Sequence, residues 1–95
     1  MISREDMLFS IGYDGNAALV DRSARTKFGK YSTAQLIDAG LFRAATASAI
    51  FSGSQDELAQ VASAYNRCAK ANYPVEAIPR LFGVAKVTAS KILAL

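Results

Sequence analysis

Ninety-five residues, with 11 Lys and Arg against 8 Asp and Glu and 52% apolar residues, suit one small basic domain with its own core rather than two. Histidine is absent and Cys68 is the sole cysteine, which excludes an internal disulfide, a Cys/His zinc cage and any Ser-His or Cys-His pair. The expectation is a non-enzymatic protein with no cofactor and no metal.

The opening MISREDML lacks the apolar stretch of a signal peptide, and the most apolar run, Leu41–Phe51, is too short to span a bilayer and contains Arg43. A cytoplasmic protein is expected. Much of the apolar content is alanine, so stability should lean on a few large side chains, Phe9, Phe28, Leu36, Phe42, Phe51, Tyr65 and Phe82, and on a second subunit.

In residues 8–21, Phe9, Ile11 and Tyr13 alternate with smaller or polar residues, Asp14-Gly15-Asn16 signals a turn, and Ala18 and Val20 resume the alternation. This pattern predicts a β-hairpin, followed by a helix over residues 22–28. A rival reading caps one helix at Asn16, runs it through Val20, Ala24 and Phe28, and stops it at Gly29. Arg22, Arg25, Lys27 and Lys30 form a basic stretch ending at Tyr31; Arg22 and Arg25 lie off the apolar line, as either a solvated face or a set of phosphate contacts requires.

Ser32 with Gln35 makes a capping box, opening a short helix to Ala39 with Gly40 as its left-handed cap. Leu41–Phe51 is apolar nearly all round, which places it at the centre of a helical bundle, and Gly53 ends it. Ser54 and Glu57 form a second box at the head of an amphipathic helix over about residues 55–71. Its apolar face carries Leu58, Val61, Ala62, Tyr65, Cys68 and Ala69, and its wet face Gln60, Ser63, Asn66, Arg67 and Lys70. Cys68 on the apolar side reads as inert packing. Asn72 and Tyr73-Pro74 mark the connection onward.

Residues 75–95 read as two short helices joined at Gly83, with Ile78, Phe82, Val84, Ala89 and Ile92 along a shared seam. Pro79 fits only if the first of them starts near Ala77. Over RLFGVAKVTASKIL the stretch resembles the helix-turn-helix of DNA-binding proteins, a bracing helix, a glycine turn and a second helix for the major groove. The resemblance implies that Lys86, Val87, Thr88, Ser90 and Lys91 face outward to bases and phosphates, that Arg80 meets the backbone, and that helix 55–71 completes a three-helix unit over residues 54–95. Arg22 and Arg25 would then extend the surface, duplex DNA would be the partner of a homodimer, and residues 1–53 would serve packing and pairing.

IGYDGNAALVDRSARTKFG also resembles, more loosely, the K-homology RNA-binding motif, in which two spaced glycines clamp a nucleic-acid backbone; a hairpin turn accounts for both glycines without a ligand. The expected fold is a mostly α-helical bundle with a short N-terminal β-hairpin and the helix pair at its end. The rival to DNA binding is a protein-interaction module with a helical core, and a third reading is a small-molecule pocket among Tyr13, Tyr31, Tyr65 and Tyr73.

Overall fold

A computed structural model describes residues 3–14, 17–84 and 91–95, and for Tyr13, Asp14 and Lys91 the backbone alone. Among the described residues the chain is mostly helical, with six α-helices and a three-stranded mixed sheet. The hairpin is present: β1 (Ser10–Asp14) pairs antiparallel with β2 (Ala17–Val20). The register slips between Ser10 and Gly12, so Ile11 bulges from the edge and is 60% exposed.

Helix α1 (Arg4–Leu8), which precedes the hairpin, is absent from the sequence reading. Five residues are too few to hold a helix by propensity. Tertiary bonds hold this one: the Arg4 guanidinium donates to the carbonyls of Gly29 and Tyr31 and to Ser48 Oγ, while Met7 and Leu8 are buried.

Helix α2 (Arg22–Phe28) begins where the hairpin ends, capped by Asp21, whose Oδ1 accepts the Ala24 N–H. Helix α3 (Thr33–Asp38) carries the complete Ser32/Gln35 capping box, and Gly40 takes φ +77° after it. Helix α4 (Phe42–Ser52) is the central helix: Ala44 to Ala49 are all buried, and their small side chains let α1, α3 and the next helix approach closely. Gly53, at φ +69°, ends it. Helix α5 (Gln55–Ala69) opens on Ser54, whose Oγ accepts the Glu57 N–H; the Glu57 carboxylate turns instead to the hydroxyls of Thr33 and Ser52, so this box is half formed.

Cys68 is exposed rather than packed, and so is Ala69. The last turn of α5 runs past the end of the core, so apolar periodicity there has nothing to face. After a 3-10 turn (Val75–Ala77), helix α6 (Ile78–Leu81) holds Pro79 in its first turn, where a missing N–H costs nothing, and Gly83 takes φ +66°.

The expected second helix lies largely outside the described residues, at 85–90, and its end departs from the reading. Lys91–Ala94 is a strand, β3, parallel to β2 with Lys91 opposite Ala17 and Ala94 opposite Val20. The stretch KILA has no polar break that favours a helix over a strand, and the open side of β2 offers a ladder of backbone partners that a lone helical turn lacks. Of the two glycines in the K-homology resemblance, Gly12 lies within β1 and Gly15 falls outside the described residues.

One core joins both halves of the chain, with Leu8, Val20, Leu36, Val61 and Ile78 each fully buried. No helix among the described residues is long and apolar enough to cross a membrane.

Candidate interaction groove

Among the described residues, the aromatic side chains pack at the edge of the core in two runs. Phe9, Phe28 and Tyr31 form one run, with ring centroids 6.3 and 5.2 Å apart. Phe42 and Phe82 meet Tyr65 edge-on at 5.4 and 5.1 Å, and Tyr73 lies 6.0 Å from Tyr65, forming a second run. Between the two runs lies a groove of about 400 Å³. One wall is Leu8, Phe9 and Ile11 with Ala24 and Phe28 of α2; the other is Leu41, Phe42 and Ala44 with Phe82.

Arg43 links these walls. Its Nη1 donates to the Ser10 carbonyl at 2.7 Å and its Nε to the Phe82 carbonyl at 3.2 Å, yet the side chain stays exposed. Lys27, exposed on α2, holds its ammonium 5.2 Å from the ring centroid of Phe28, a residue of the opposite wall. Asp21 also lines the groove, its Oδ1 engaged by the α2 cap and its backbone N–H by the Phe9 carbonyl at 2.9 Å.

A local stability rule is set aside at this wall. The N-cap of α4 is Leu41, which has no side-chain oxygen to accept an N–H of the first turn, where Ser, Thr, Asp or Asn adds about 1 kcal/mol. Leu41 faces the groove instead. Departures of this kind concentrate where a surface has a task besides folding.

Of the residues expected to meet DNA, Arg22, Arg25 and Arg80 have described side chains, and the first two are engaged within the fold. Arg25 pairs with Asp6 at 2.5 Å and so tethers α2 to α1. Arg22 is exposed and donates to the Ala94 carbonyl at 3.1 Å, fastening the end of β3. Arg80 is exposed on α6. The backbone of Lys91 lies in β3, where it forms no part of a recognition helix, and Lys86, Thr88 and Ser90 fall outside the described residues, as does Val87. Of the tyrosines, Tyr31 packs on Phe28 while Tyr65 and Tyr73 belong to the other run, and the side chain of Tyr13 falls outside the described residues.

Phe9 is buried in the core and Phe28, Phe42 and Phe82 pack against it, as the sequence reading expects, and all four also line the groove; a site at Ile11 and Leu41 is not part of that reading. The signal open to a sequence reading is a helix that starts on leucine, where a capping residue is expected. Among the described residues no group of three His, Cys, Asp or Glu side chains could hold a metal ion. No family model, curated protein or solved structure matches the chain.

Proposed function

We propose that this chain is a protein-interaction module that takes an apolar segment of another polypeptide into the groove between α2 and α4. The observation that carries the reading is an apolar cleft walled by four phenylalanines whose apolar surface runs outward onto the exposed Ile11. Apolar surface that spreads beyond a cleft suits a macromolecule, which covers the margin as well as filling the hollow. Each Leu or Phe side chain seated in the cleft would contribute roughly 1.5–3 kcal/mol by burial.

A polypeptide partner is preferred to duplex DNA because the DNA reading needs a free helix through Lys91, and Lys91–Ala94 runs as a strand. The test is recovery of a partner from cells, followed by reconstitution with the purified partner. The proposal expects a direct complex that Ile11→Asp weakens at least tenfold, which is about 1.4 kcal/mol. A complex indifferent to Ile11→Asp, or a salt-dependent shift of random duplex DNA with no polypeptide complex, overturns it.

A further inference from the structure

Resting on the groove being a docking surface, we infer that its occupant is an acidic amphipathic helix of a partner polypeptide, with carboxylates flanking the apolar side chains that enter the cleft. Charge complementarity is the first argument. Two cations stand at the groove: Arg43 of its lining, in the first turn of α4, whose exposed guanidinium is aimed by two backbone carbonyls, and Lys27, whose ammonium lies 5.2 Å from the ring of the lining Phe28. The positive end of α4 adds charge of the same sign. Asp21 is the lining carboxylate, its Oδ1 held by the cap of α2, so two cations face one anion there, while Asp6 is paired with Arg25. The whole chain carries +3, so its long-range field draws acidic segments as well.

Backbone geometry selects a helix over a strand. A strand partner would have to extend the sheet along β1, but β1 bulges at Ile11 and Arg43 already occupies the Ser10 carbonyl. A bulged, capped edge blocks strand addition. A helix satisfies its own backbone and needs only to insert side chains.

The test uses three synthetic helical peptides that share one leucine face at i, i+3, i+4 and i+7 and carry Glu, Gln or Lys elsewhere. Binding is read by anisotropy at low and high salt, and by amide shifts of Ile11, Phe28 and Leu41. The inference expects the Glu peptide to bind tightest, roughly tenfold over the Gln peptide at low salt, with the gap closing as salt rises. Lys27→Glu, an exposed change that leaves the fold intact, should reverse the order of the Glu and Lys peptides. Equal binding of all three overturns the acidic preference while leaving the docking surface standing. Failure of every peptide to move those amides overturns both. If dodecanoate moves them and no peptide does, the occupant is a fatty anion and the helix inference is overturned.

Discussion

Arg43 Nη1 donates to the carbonyl oxygen of Ser10 at 2.7 Å, joining the first turn of the central helix to the first residue of the hairpin. This bond links the two groove walls, while the second, from Nε to the Phe82 carbonyl, ties α6 to α4 within one wall. Replacing Arg43 by alanine should cost about 1–2 kcal/mol, within the range for bonds from a charged donor and toward its lower end because the site is exposed. Urea unfolding of Arg43→Ala checks this, and the amides of residues 10–12 should shift even where the variant stays folded.

A second prediction concerns the polar thread through the helices. Ser48 Oγ meets both the Arg4 guanidinium and Thr33 Oγ1, and Thr33 Oγ1 also donates to the Glu57 carboxylate. Thr33→Val and Ser48→Ala should each destabilise by about 1–3 kcal/mol, and the double variant by clearly less than the sum because the two changes break one shared network. Additive losses in a double-mutant cycle contradict the thread.

Gly29 tests close approach rather than backbone freedom, since its φ of −60° is open to any residue. A Cβ there would press on the Arg25 carbonyl oxygen and lie 3.1 Å from Glu5 Cγ. Gly29→Ala should therefore lower stability by about 1–3 kcal/mol, an overpacking cost, where an open site would gain from the same change.

Local chemistry was legible in the sequence; long-range pairing was not. The Ser32/Gln35 box, the left-handed cap at Gly40, the helix stop at Gly53, the turn at Gly83, the hairpin strands and Pro79 in a first turn all depend on residues within a few positions of each other, and each appears as read. Helix α1 has its own cap, Ser3 accepting from the Asp6 N–H, but its stability comes from Arg4 reaching Ser48, 44 residues on. Strand β3 depends on β2, more than seventy residues earlier, and Ile92 and Leu93 fit helical and extended spacing equally well. The groove was hidden because a phenylalanine on a cleft wall and one in a core look the same in a sequence.

The strand itself gives a further prediction. Ile92 is half-buried and packs against the core, while Leu93 is 45% exposed, the alternation of an extended segment. Ile92→Asp should destabilise by about 2–3 kcal/mol and Leu93→Asp by under 1 kcal/mol. Carbon secondary shifts over residues 91–94 should be extended in sign; helical shifts there would restore the recognition helix.

The central claim meets its most direct measurement in site-resolved photocrosslinking, with benzoylphenylalanine placed at Ile11 beside the groove or at Ser63 on the outer face of α5. The groove account predicts a discrete polypeptide adduct from position 11 that Phe28→Glu removes, and none from position 63. The same adduct from both positions, or one from position 63 alone, contradicts it.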